Sequence, residues 1–339
     1  MKKGVVLFLV LLAILSIPLM AFGQGDAKAK LKGLKPKDFP TQPIEFVLVY
    51  APGGSADLAA RILAKHVEKY IESRCIVVNK TGGGGLIGHT YLATQAKNDG
   101  YTVGVLTHSY MTDEILKARG KWSYRNLEAI GYVHLDNCTW IVTTTGPLKD
   151  KSIKDVVAMA KQEPGKIKLA IVPEMTFEFL AENVEMATGT KFVHVPFQGA
   201  GPGNVALLGG HVDIATSFYA EYKSHLEAGK VKVLAVSGTK RSAYLPNIPT
   251  FNEALGVKDI IWSTWRFVFV PKGTPADRSR YLEAAVDAAL RDPECIKEFG
   301  NMGIKVGERY MTAKESQEEV DRLYETFKDF FTKTGRISK

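Results

Sequence analysis

Ile44-Glu45-Phe46-Val47-Leu48-Val49-Tyr50 runs straight into Ala51-Pro52-Gly53-Gly54-Ser55-Ala56-Asp57, and this junction decides the fold. The first seven residues are almost wholly apolar, as in a strand covered on both faces. The glycines that follow allow a sharp turn. Leu58, Ile62, Leu63, Val67, Tyr70 and Ile71 then fall on one stripe of a helix. Further on, Cys75–Asn79 reads as a second strand, residues 82–85 as a turn, 86–96 as a helix and Thr102–Thr107 as a third strand. The order β-α-β-α-β calls for a parallel sheet with crossover helices.

The alternation resumes later in the chain. Ser152 can cap a helix whose apolar face is Ile153, Val156, Val157 and Ala160, ended by Pro164-Gly165. Strands are expected at 167–172, 192–196, Ile214–Phe218 and 231–237, and helices at 275–291, 293–302 and 313–334. A chain of 339 residues exceeds what one core holds, so two α/β domains are expected, with ligand chemistry at the carboxyl ends of strands. With 45% hydrophobic and 24% charged residues, the composition excludes a disordered chain and a polytopic membrane protein. The formal charge of +8 is dispersed, which argues against nucleic acid and suits a protein that handles anions. Cys75, Cys138 and Cys295 lack any CxxC spacing and the seven histidines form no HExxH, so no metal is expected and three reduced thiols are.

Export is read from the start of the chain. Lys2 and Lys3 precede an apolar run over 5–15, Ser16 and Pro18 break it, and Ala21-Phe22-Gly23 supplies small residues for cleavage. That order is a secretory signal peptide over 1–23, so the protein is expected in the periplasm. An uncleaved anchor is the rival, and Pro18 interrupts the ~20-residue continuity it needs. Residues 24–41, rich in lysine and poor in large apolar side chains, read as a flexible leader.

Three glycine-bearing loops carry the functional reading. In the first, Ser55 and Asp57 can cap a helix, whose start presents free N–H groups to an anion. A hydrolase reading would make Ser55 a nucleophile, but Asp57 stands where G-x-S-x-G needs its last glycine. The second loop, Thr81-Gly82-Gly83-Gly84-Gly85-Leu86-Ile87-Gly88, contains the letters of a dinucleotide fingerprint. The acid expected ~20 residues on is missing, with Thr107 and His108 in its place, so backbone amides around a small anion fit better. The third loop, from Val195 through Phe197-Gln198-Gly199 to Gly203, follows another strand.

These loops, with Asn98-Asp99-Gly100-Tyr101-Thr102, Leu207-Leu208-Gly209-Gly210-His211-Val212-Asp213, Leu245-Pro246-Asn247-Ile248-Pro249-Thr250 and Pro271-Lys272-Gly273-Thr274-Pro275, occur in an order that spans nearly the whole chain. In that order the chain resembles the periplasmic solute receptors of tripartite tricarboxylate transporters, the Bug or TctC-like family. The resemblance implies an α/β type II periplasmic binding fold of two lobes, each a doubly wound sheet, hinged by crossing strands. Lobe one would comprise 42–133 plus 267–339, and lobe two 134–266. It also implies no catalysis, no cofactor, a monomer, and delivery of a di- or tricarboxylate or aromatic acid to membrane permease subunits.

Carried over onto matching positions, the ligand carboxylate would meet Pro52, Gly53, Gly54, Ser55, Asp57, Gly84 and Gly85. Ala51, Thr107, Thr176, Phe177 and Phe197 are expected to line the cleft, as are Gln198, Gly199, Ser217 and Trp265. The chain departs from the family pattern at Phe179, where a histidine is usual, at Ala206 and near Ser217, where acids are, and at Trp265-Arg266-Phe267, where many relatives carry a glycine. Arg266, flanked by aromatics, is expected either to reach into the cleft or to pair with Glu174, Glu178 or Glu221.

Overall fold

The computed structural model describes residues 24–53, 55–260, 262–307 and 309–338. The expected signal peptide and Gly54 lie outside the described residues. β1 (Ile44–Leu48) pairs in parallel with β2 (Cys75–Asn79) on one side and β3 (Thr102–Thr107) on the other. The crossovers are α2 (Ser55–Ile71) and α3 (Leu86–Thr94), as the sequence requires. A short helix, α4 (Ser109–Asp113), follows β3.

The decisive element is β4 (Leu127–Thr143), one 17-residue strand that the sequence reading left unassigned. Its first part, through Asn137, pairs antiparallel with β9 (Ser263–Pro271), which also pairs with β3. From Cys138 onward it lies between β7 (Ile214–Phe218) and β8 (Val231–Val236). β5 (Lys168–Ile171) and β6 (Val193–Pro196) extend the sheet beyond β7 in parallel. The result is one curled mixed sheet with order β2-β1-β3-β9-β4-β7-β5-β6. β4 serves two cores in turn, so neither a period of two nor a continuous apolar run holds along it, and Glu128, Gly131, Asp136 and Asn137 hide it.

Between the strands of the second lobe run α5 (Ile153–Gln162), α6 (Thr176–Thr188), α7 (Ala200–Leu208), α8 (Tyr219–Glu227) and α9 (Phe251–Leu255). Ser152 caps α5 as expected, its hydroxyl accepting from Asp155 N while the Asp155 carboxylate accepts from Ser152 N. The chain closes with α10 (Ala276–Arg291), α11 (Pro293–Asn301) and α12 (Ala313–Lys333). α2, α10 and α11 cover one face of the first lobe's sheet, while α3, α4 and α12 cover the other. Beyond α12, Arg336 pairs with Glu178 and Glu182 of α6. The C-terminal segment therefore touches both lobes.

The flexible leader is corrected. Residues 24–34 form a helix, α1 (Gln24–Leu34), that packs on α2 and α10 through Leu31, only 2% exposed. Phe39 is buried between Tyr101 and Tyr281. Few apolar side chains are involved, so composition conceals the docking. All three cysteines are free thiols. Burial pushes Cys75 and Cys295 up to about 12, so neither is a reactive thiolate at neutral pH.

Candidate functional site

The first loop is tied down by its own acid. Asp57, buried at the start of α2, accepts hydrogen bonds from Gly53 N at 3.0 Å, from Arg61 Nε and Nη2 at 2.9 Å each, and from Asn79 Nδ2 at 2.9 Å. Burial alone would raise its pKa; Arg61 and the Gly53 N–H outweigh that and hold the carboxyl below its usual range. Asn79 donates also to Tyr50 O. Asp57 thus fixes the loop's shape, while Ala51, Pro52 and Gly53 stay exposed. Ser55 is half-buried in the first turn of α2.

The second loop needs its glycines for different reasons. Gly82, Gly83, Gly84 and Gly85 all have positive φ, from 58° to 126°, which side chains rarely tolerate. At Gly84 an added Cβ would meet little, only Lys117 Nζ at 4.0 Å, so this backbone is open. At Gly88 an added Cβ would stand 2.5 Å from Lys80 O and 2.6 Å from Val49 Cγ1. The last glycine of the apparent dinucleotide fingerprint therefore lets α3 lie against β1. α2 and α3 start at the carboxyl ends of adjacent parallel strands, so their N-termini share one edge of the sheet, where an anion is favoured.

Beside them stands a ring of hydroxyls. Tyr50 Oη lies 3.0 Å from Thr107 Oγ1 and 2.6 Å from Ser109 Oγ, and those two are 2.7 Å apart. Burial pushes the Tyr50 phenol up, so it keeps its proton. His108, between Thr107 and Ser109 in the chain, meets Thr176 Oγ1 of the second lobe at 3.1 Å through Nε2. Burial, aided by the nearby Arg266 charge, drives His108 down to about 3, so it is neutral. Lys117 bridges the lobes too, 3.1 Å from Asp113 and 3.3 Å from Glu174.

The second lobe offers Asn204 Nδ2 donating to Ser217 Oγ at 3.0 Å, and Ser217 Oγ donating to Glu221 Oε2 at 3.3 Å. Glu221 also accepts from Phe218 N. Its pKa is pushed up to about 7 by burial, and the Asp136 charge adds to the rise. The rings of Phe177 and Phe218 meet at 4.9 Å.

The family described as tripartite tricarboxylate transporter family receptor matches residues 59–329. This chain belongs to that family. It is 30% identical to protein BugT of Bordetella pertussis over 267 residues, 78% of this chain and 81% of BugT. The periplasmic binding protein BugD superposes with a TM-score of 0.76 at 29% identity, over 88% of this chain and 99% of BugD. An R. palustris protein solved with adipate has the same fold, with a TM-score of 0.77, 24% identity, and coverage of 88% and 99%.

With the receptor family established, the expected positions sort themselves. Gly53, Ser55, Gly84, Gly85 and Thr107 lie at one edge of the first lobe, and Thr176 meets them from the second through His108. Phe197, half-buried, and Gln198, exposed, precede Gly199 at the start of α7. Ser217 is fully buried and spent on Asn204 and Glu221. Trp265 packs edge-on against His108. Arg266 pairs with none of Glu174, Glu178 or Glu221. Its Nη2 is 3.9 Å from Asp136 Oδ2, and its Nε is 3.3 Å from His134 Nε2, both on β4. The unread strand β4 is why that acid was missed.

Sequence reasoning also passed over Tyr50, Ser109, Asn204 and, as a site residue, Glu221. Tyr50 and Ser109 had a signal: hydroxyls at the carboxyl ends of parallel strands. Among the described residues His66, Asp292 and Glu294 bring possible metal-ligating atoms within 4.8 Å of one another. Lys69 Nζ already sits 2.6 Å from Glu294 and 3.5 Å from Asp292, and supplies the positive charge there. Among the described residues no helix is long and apolar enough to cross a membrane.

Proposed function

We propose that this receptor is exported through a cleaved signal peptide over 1–23, captures a small organic carboxylate in the cleft between its lobes, and delivers it as a monomer to membrane permease subunits of a tripartite tricarboxylate transporter. Lobe one comprises 42–133 and 267–339, and lobe two 134–266. The first ligand carboxylate lies on the loops bearing Gly53, Gly54, Ser55, Gly84 and Gly85. The observation that carries this reading is the run of four positive-φ glycines beside the start of α2, a backbone surface whose N–H groups can cradle a small anion. Charge-assisted hydrogen bonds contribute ~1.5–3 kcal/mol each, so three to five of them account for micromolar binding after association costs. Thr176 and the Phe177 and Phe197 rings close over the ligand from lobe two.

A hydrolase using Ser55 is the other class. Among the described residues no histidine or carboxylate hydrogen-bonds Ser55, so nothing activates it as a nucleophile. A thermal-shift panel of mono-, di- and tricarboxylates separates the readings. A ligand at 100 times its Kd stabilises the protein by ~2.7 kcal/mol and is recovered unchanged. A panel without any shift, or ester turnover lost in Ser55→Ala, would overturn the receptor reading.

A further inference from the structure

Arg266 is the largest polar side chain among the fully buried ones, 2% exposed, and among the described residues its Nη1 has no hydrogen-bond partner. Burying a guanidinium with an unanswered donor is costly, because the group loses its hydration without replacement. Its neighbours do not repair this. His134 Nε2 is 3.3 Å from Arg266 Nε but 3.0 Å from Asp136 Oδ2. One ring nitrogen serves only one of these: protonated it donates to Asp136, bare it accepts from Arg266. Asp136 itself stays 3.9 Å from Nη2, beyond hydrogen-bond reach.

The placement of this group is equally specific. In the β3–β9 register Arg266 is opposite Thr107, so the two side chains share a face of the sheet. Thr107 belongs to the hydroxyl ring with Tyr50 and Ser109, next to the loop that follows β1. The Arg266 charge is felt at both Tyr50 and His108. A positive group and a cluster of protonated hydroxyls thus meet at the ends of the first lobe's strands.

We propose that Arg266 receives a second anionic group of the ligand, so that the receptor selects dicarboxylates: one carboxylate lies on the glycine loops, the other reaches Arg266 Nη1 beside the Tyr50–Thr107–Ser109 hydroxyls. This deepens the carboxylate-receptor reading and rests on it. Planar recognition by the guanidinium fork suits a carboxylate, and an uncharged ligand end would leave Nη1 unpaired.

The test compares adipate with hexanoate, which differ by one carboxylate at the same chain length, by calorimetry on the wild-type protein, Arg266→Met and Arg266→Lys. Wild type binds adipate at least about 30-fold tighter than hexanoate, the low end of the penalty for an unpaired buried charge. Arg266→Met loses that preference while hexanoate affinity changes less than about threefold, and Arg266→Lys recovers part of it. Equal losses for both ligands in Arg266→Met would overturn the proposal and make the residue part of the scaffold with Asp136. If Arg266→Met does not fold, wild type alone decides: hexanoate bound as tightly as adipate sinks the second subsite but leaves the receptor. Binding of neither ligand, nor of any shorter or longer carboxylate, sinks the receptor reading and this one with it.

Discussion

Replacing Gly88 with alanine should destabilise the receptor by about 3 kcal/mol or more, near the top of the range for overpacking a well-filled site. The added methyl would stand 2.5 Å from the Lys80 carbonyl oxygen, a backbone atom that cannot rotate away, and 2.6 Å from Val49 Cγ1. Relief requires α3 to lift off β1, and α3 carries the Gly82–Gly85 turn with it. Denaturant unfolding reads the effect as a fall in midpoint with an unchanged slope. Gly33→Ala is the control, since its added Cβ meets nothing within 4 Å, in the last part of α1. It should be neutral or stabilising by about 0.5–1 kcal/mol. A Gly88→Ala loss below ~1 kcal/mol would mean that α3 does not pack this closely.

That prediction shows how local reading succeeds and where it misleads. The glycine letters of the second loop matched a nucleotide fingerprint, while the missing acid argued against it. What the letters encode is geometry: positive φ at Gly82–Gly85 and close helix–strand approach at Gly88. Both are properties of a strand-turn-helix junction, so they are legible from the sequence whatever the ligand. The bounds of β2, β3 and β7 were legible for the same reason, because each is a short apolar run bounded by turn residues.

Elements that act between lobes were not legible. β4 changes partners at Cys138, from β9 to β7 and β8, and its side chains answer to two environments. Missing β4 removed His134 and Asp136 from consideration, and with them the neighbours of Arg266. Glu221 was visible as an acid, but its raised pKa depends on burial that only the folded lobe supplies. α1 escaped because docking rests on Leu31 and few other apolar groups in a lysine-rich stretch.

Trp262→Ala should cost about 3–5 kcal/mol, the range for emptying a large aromatic site in a core. Trp262 is fully buried and stacks on Phe327 at 4.7 Å, with Phe179 at 4.8 Å and Phe330 at 4.9 Å around it. These rings come from α6 and α12, while Trp262 itself immediately precedes β9. One truncation therefore loosens the first lobe's helical cover and the second lobe's α6 together. Thermal unfolding should remain a single transition at a lower midpoint. A loss below ~1 kcal/mol would contradict the cluster's role as the joint between lobes. His108 packs on the same tryptophan, with ring centroids 5.9 Å apart, so the joint also supports the His108–Thr176 contact between the lobes.

Calorimetric titration of the purified protein with mono-, di- and tricarboxylates tests the central claim most directly. A carboxylate receptor binds at least one of them saturably, one ligand per chain, in the micromolar range or tighter, with the ligand recovered chemically intact. A flat titration across all three classes at every chain length, from a protein that unfolds cooperatively, would contradict it.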